Sequence, residues 1–207
     1  MGLCSCDPRP RSHEGIVFCG ADGTDSSSPL VVSSDATVSI EDFIHTRYTY
    51  PRSNQGELTI ENSLPRGGLT YTAPNGKEYV YALFWTRIIN ETEDTLRLSL
   101  HLPMGVSNLP GPSLVGFRVL LPSESFDTKK VEQFNYGISD IDATLDRLID
   151  QEPSMQRVIA PNMEISFFAV TLFDRRIEGL MRNGLHLDGD SLSYRVNGTD
   201  LKCGTLR

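Results

Sequence analysis

Glu78-Tyr-Val-Tyr-Ala-Leu-Phe-Trp-Thr-Arg-Ile-Ile89, then Asn90-Glu-Thr-Glu-Asp94, then Thr95-Leu-Arg-Leu-Ser-Leu-His-Leu102 is the stretch that decides the fold. In the first segment Tyr79, Tyr81, Leu83 and Trp85 alternate with Val80, Ala82, Phe84 and Ile88, so both faces of an extended strand are apolar. A strand of that kind lies centrally in its sheet, with something packed on each side. In the last segment Leu96, Leu98, Leu100 and Leu102 share one face against Thr95, Arg97, Ser99 and His101, so one side is buried and the other wet. The five residues between them contain no apolar side chain and read as a hairpin connection.

The same reading extends in both directions. Upstream, short strands are expected at Glu14–Gly20, Leu30–Val32, Phe43–Tyr50, Leu58–Ile60 and Leu69–Thr72, with a turn at Leu64-Pro-Arg-Gly-Gly68 and another at Pro74-Asn-Gly76. Downstream, Leu114–Leu121 and the closely spaced runs Met155–Ile159 and Glu164–Phe173 read as strands, the latter two as a pair joined by Ala160-Pro-Asn162. Leu180–Leu187 and Ser191–Val196 flank the turn Asp188-Gly-Asp190, and Thr199–Arg207 supplies a closing strand. One helix is expected, Ser139–Gln151: Ser139 is a candidate N-cap, Ile141, Leu145, Leu148 and Ile149 form one apolar face, and Pro153 stops it. It reads as a lid over a sheet edge or an open end. These signals define a mainly β protein, an antiparallel β-sandwich, Ig-like in layout, with one short α-helix near 139–151. Its core should centre on Leu83, Phe84, Trp85, Leu98, Leu100, Phe117, Phe167 and Leu172.

Composition limits the function. The 207 residues suit one core, read as a flexible N-terminal tether over 1–11 and a single domain over 12–207. A net charge of −8 without a basic run argues against nucleic acid as a partner. Apolar runs such as Ile165–Phe173 have strand length, too short for a membrane-spanning helix.

The four cysteines are Cys4, Cys6, Cys19 and Cys203, with no Cys-x-x-Cys and no zinc spacing. Leu3-Cys-Ser-Cys6 has the form of a bacterial lipoprotein cleavage site with Cys6 as the acylated residue, the charged and apolar parts of such a signal lying upstream of Met1. Met1-Gly2 with Cys4 and Cys6 also fits N-myristoylation with neighbouring palmitates, which would tether the protein inside a cell. A third reading gives the two thiols no role. Cys19 and Cys203 each precede a glycine near opposite ends of the domain and are a disulfide candidate; separate burial of two thiols is the alternative.

Signals for catalysis are sparse. There is no G-x-S-x-G, no glycine-rich phosphate loop and no H-E-x-x-H. Asp22 and Asp25 lack the ligand pattern of a calcium loop, and His186, Asp188 and Asp190 are divided by a glycine turn, so neither a metal nor a cofactor is expected. No catalytic residue is designated. The 27 acidic residues leave room for a carboxylate pair assembled in space. Tyr48 and Tyr50 share a strand face, as a cross-strand aromatic pair or a sugar-stacking platform. Asn90-Glu-Thr92 and Asn197-Gly-Thr199 are glycosylation sequons. The loop Met104–Ser113, entered through Pro103 and carrying Pro110, Pro112, two glycines and the apolar Met104, Val106 and Leu109, is the candidate binding loop.

Pro74-Asn-Gly-Lys-Glu-Tyr79, Arg87-Ile-Ile-Asn90, Ala160-Pro-Asn-Met-Glu164, Gly179-Leu-Met-Arg-Asn-Gly-Leu-His-Leu-Asp-Gly189, Leu192-Ser-Tyr194 and Cys203-Gly204 resemble a group of uncharacterised bacterial secreted lipoproteins of β-sandwich form. That resemblance covers about residues 74–204 and implies compartment and fold class, without an activity. The expectation is a non-enzymatic, envelope-associated binding or assembly module, extracytoplasmic and lipid-anchored, whose partner is a protein or glycan. The alternative is a carbohydrate-active hydrolase with paired carboxylates on a concave sheet face.

Overall fold

The computed structural model describes residues 39–52, 56–112 and 114–207. The proposed tether, Cys6, Cys19 and the strands expected before residue 39 lie outside the described residues. In chain order the strands are β1 (Ile44–Pro51), β2 (Glu57–Ser63), β3 (Arg66–Thr72), β4 (Glu78–Asn90), β5 (Leu96–His101), β6 (Ser107–Asn108), β7 (Gly116–Leu120), β8 (Ser154–Ile159), β9 (Met163–Phe173), β10 (Asn183–Asp188), β11 (Ser191–Val196) and β12 (Thr199–Leu206). They form two sheets, antiparallel throughout. The larger runs β1-β2-β4-β9-β7-β6 with β3 also on β4, and the smaller runs β10-β11-β12-β5-β8. The described residues form a β-sandwich.

β4 is the central strand its two apolar faces require. One side pairs with β9 in unbroken register from Val80↔Phe173 to Asn90↔Met163. The other side is shared, with β3 along its first half and β2 along its second. The turn expected at Leu64–Gly68 is instead a break in one continuing path, since β2 and β3 follow the same neighbour in the same direction. Pro65 lacks the N–H a continuous ladder would need there. Gly67 then passes so close to β4 that a Cβ would lie 2.5 Å from the Tyr81 ring.

The hairpin expected between β4 and β5 does not form. β4 belongs to the larger sheet and β5 to the smaller, so Asn90–Asp94 crosses from one layer to the other. β8 and β9, also expected as a pair, cross in the same way. Alternation reports which faces of a strand are buried but is silent about which edges it pairs. β4 has both edges taken by β2, β3 and β9, leaving no place for β5 beside it.

Ala82, Phe84 and Ile88 of β4 enter the core between the sheets, with Leu96, Leu98, Leu100, Phe117, Phe167 and Leu206. The opposite face of β4 carries Tyr79, Tyr81, Leu83 and Trp85 into a second core with Phe168, Val170 and Leu172. None of the eight residues expected at the centre is more than 3 % exposed. They divide between these two cores.

The helix α1 spans Ile141–Leu148, shorter than expected, and its N-cap is Asp140, which accepts from the Ala143 N–H at 3.0 Å. It is not a lid on an edge or an open end. Leu145 and Ile149 pack into the second core, on the outer face of the larger sheet, together with Val131 and Tyr136. An apolar face bearing Trp85 and two tyrosines is too large to leave in water, and the segment between β7 and β8 supplies its cover. Arg118 on β7 donates to the Ile149 carbonyl at 2.7 Å, fixing the end of α1.

Candidate binding surface

The buried carboxylate Glu61 is held between Arg47 and Arg87, each with Nε at 2.7 Å, so its charge is matched within the sheet. A cavity of about 680 Å³ under α1 has Glu124, Asp140 and Asp146 on its walls. Glu124 Oε1 accepts from Arg147 and Thr144, Asp140 caps the helix, and Asp146 accepts the Tyr71 hydroxyl at 2.8 Å. Burial, reinforced by Asp146, pushes the Tyr71 phenol up. Each carboxylate thus has at least one oxygen bound into the frame of this cover, while Glu124 Oε2 is buried without a partner among the described residues. Asn135 and Tyr136 sit in successive left-handed conformations, φ 50° and 49°. Asn135 exchanges hydrogen bonds with the Tyr81 hydroxyl, and the Tyr136 hydroxyl donates to the Leu64 carbonyl. Such anchoring holds a strained turn against the sheet.

Two hollows with apolar walls lie at one end of the sandwich. They adjoin, with volumes of about 550 and 260 Å³, and share Arg176 and Ile177 of the β9–β10 connection. Leu109, Pro110, Pro112 and Val115 wall the first; Val80, Phe173 and Met181 wall the second. Of the candidate loop residues, Met104 and Val106 are 47 and 57 % exposed, while Leu109 is 9 % exposed and joins the inter-sheet core. Leu109 therefore supports the loop from beneath and offers little surface to a partner. Leu114, Leu69 and Leu180 are exposed large apolar side chains on the segments around these hollows. Gly116, at the start of β7, is tied to the β9–β10 connection, its carbonyl accepting the Asp174 N–H at 2.9 Å, and Val106 of the loop packs into the space beside Gly116 that a Cβ would fill.

A third recess, about 270 Å³, lies where β1 meets the β10–β11 hairpin, lined by His45, Tyr48, Arg182, Asn183, His186 and Arg195 among others. Tyr48 finds an aromatic partner on another strand, the His186 ring of β10, while Tyr50 is used through its hydroxyl. The Tyr48 ring lies 4.8 Å from His186, and the Tyr50 hydroxyl accepts from the Leu187 N–H at 3.2 Å. Asn62 bonds both polar groups of Leu185, Oδ1 accepting its N–H at 2.8 Å and Nδ2 donating to its carbonyl at 3.2 Å. The outer edge of β10 is therefore closed by side chains from the other sheet. Gly184 makes this approach feasible, since a Cβ there would lie 2.7 Å from Asn62 Cγ. Burial, and then Arg195, lowers the His186 pKa. Asp188 and Asp190 flank an ordinary hairpin tip.

Neither sequon asparagine is a free surface residue. Asn90 is fully buried, and Asn197 accepts from the Arg182 N–H at 2.7 Å. Cys203 is 2 % exposed in the inter-sheet core, where burial pushes its thiol up to about 12. Asn62, Arg182 and Arg195 were not singled out by sequence reasoning. Asn62 carries a weak signal, as a polar residue in a strand, while Arg182 and Arg195 have none without the fold. No family model, curated protein or solved structure matches this chain.

Proposed function

We propose that this chain is a non-enzymatic binding or assembly module whose partner is a protein, engaged at the sandwich end that carries Met104, Val106 and Leu180. The observation that supports this reading is that Met104 and Val106 on the loop, and Leu180 next in sequence to the groove residues Gly179 and Met181, are exposed large apolar side chains on segments that also wall two adjoining hollows. Glu61 is held by two arginines, and Asp140, Asp146 and one oxygen of Glu124 by helix-capping, tyrosine and arginine contacts, which supports a structural use of these carboxylates. The Leu3-Cys-Ser-Cys6 motif and the lipoprotein resemblance of residues 74–204 support an envelope setting with Cys6 as the anchor.

A photo-crosslinking side chain placed in turn at Met104, Leu180 and Glu93 tests the surface. Glu93 lies on the crossing that follows the far end of β4, ten residues beyond the groove residue Val80, or roughly 33 Å of strand. Capture of one shared protein from Met104 and Leu180, and none from Glu93, is the expected result. Equal capture from all three positions would sink the reading. Acylation at Cys6 is read by mass analysis of the N-terminal peptide, and turnover of a chromogenic glycoside panel would favour the hydrolase alternative.

A further inference from the structure

We propose that the recess between β1 and the β10–β11 hairpin is a binding site for a compact oxyanion, a carboxylate, phosphate or sulfate group. The chain carries net charge −8, yet the ionisable lining of this hollow, apart from the Tyr48 phenol, is two arginines and two histidines: Arg182, Arg195, His45 and His186. No carboxylate lines it among the described residues. Asp200 holds Arg195 from one side, accepting from Nε at 2.7 Å and Nη2 at 3.0 Å. That ion pair fixes the guanidinium plane and leaves Nη1 without a partner among the described residues. The Arg182 guanidinium makes no hydrogen bond or ion pair among the described residues, although its backbone N–H is held by Asn197. One positioned and one uncommitted arginine provide the planar donors that oxyanions take in bidentate fashion. The Tyr48 and His186 rings, packed 4.8 Å apart, give the recess an aromatic wall. Its volume of about 270 Å³ equals roughly nine waters, enough for a small ion or one acidic sugar and too little for a polymer segment.

Calorimetric titration of the full chain with sodium sulfate, sodium phosphate and sodium glucuronate tests this, with glucose and ionic-strength-matched sodium chloride as controls. Saturable binding is expected, weakened at least about tenfold in Arg182→Gln, since a charge-assisted hydrogen bond is lost. His186→Gln should weaken it less, and the urea midpoint of each variant checks that it is folded. Binding of all three ions assigns the site to oxyanions in general, while glucuronate alone assigns it to an acidic sugar; both support the proposal. No saturable heat with any of them up to about 10 mM overturns it, as does unchanged affinity in folded Arg182→Gln.

Discussion

The Asn90 side chain holds two layer crossings together. Its Nδ2 donates to the carbonyls of Asp94, Ile159 and Ala160, at 2.8, 3.3 and 3.1 Å, and its Oδ1 accepts from the backbone and hydroxyl of Thr92. The first and last contacts shape the β4–β5 crossing, and the middle two reach the β8–β9 crossing beside it. Asn90→Ala would remove all of these contacts from a fully buried position, leaving the Ile159 carbonyl and the buried Thr92 hydroxyl short of a partner, so it should cost about 3 kcal/mol, read from urea unfolding. A loss below about 0.5 kcal/mol would show that the crossings hold without it. His186 sets a second expectation. Its folded pKa is lowered below the unfolded value, so the unfolded chain takes up the proton first. The resulting stability is present above the unfolded histidine pKa of about 6.5 and is lost as pH falls through the folded value. The urea midpoint should therefore drop more between neutral and mildly acid pH in the wild type than in His186→Gln. Equal drops would contradict it.

Among the elements, β12 joins the smaller sheet's two parts, pairing with β11 on one side and β5 on the other. At Gly204 (φ 144°) the register with β11 has shifted, and a Cβ would stand 1.8 Å from the Ser99 carbonyl oxygen. Gly204→Ala must push β12 away from β5, so amide exchange should rise in β10–β12 before it rises in β4 and β9. Uniform protection like that of the wild type would refute this. The helix makes a different contribution. Leu145 is fully buried beneath α1, and Leu145→Ala should cost about 2–5 kcal/mol if α1 is part of the second core. A removable lid would show a change under about 1 kcal/mol.

At the scale of the molecule, the larger sheet has a core on each face, so its centre is sealed from water on both sides. Cys203 lies in the inner core, and its thiol, pushed up to about 12, should resist iodoacetamide at pH 8 until urea opens the sandwich. Rapid labelling in the folded state would contradict this burial. Non-reducing peptide mapping addresses the Cys19–Cys203 pairing directly, since Cys19 is outside the described residues.

Sequence by itself determined the character of each strand. The two faces of β4, the single buried face of β5, the β10–β11 hairpin and the closing β12 follow from side-chain alternation and turn residues, which are local properties. Tertiary structure decided partners and layers: β4 parted from β5, β8 parted from β9, and α1 went to a sheet face. Those outcomes depend on which edges are already occupied and how much apolar surface needs cover, and neither is written in a local pattern. The candidate surfaces divide along the same line. Met104 and Val106 were legible as apolar residues in a proline-rich loop, but the burial of Leu109 came from the core below it. The β10–β11 register sets Arg182 near Arg195, but only the packing of that hairpin on β1 adds His45 and Tyr48 and makes a recess of them, a relation that spacing along the chain does not carry.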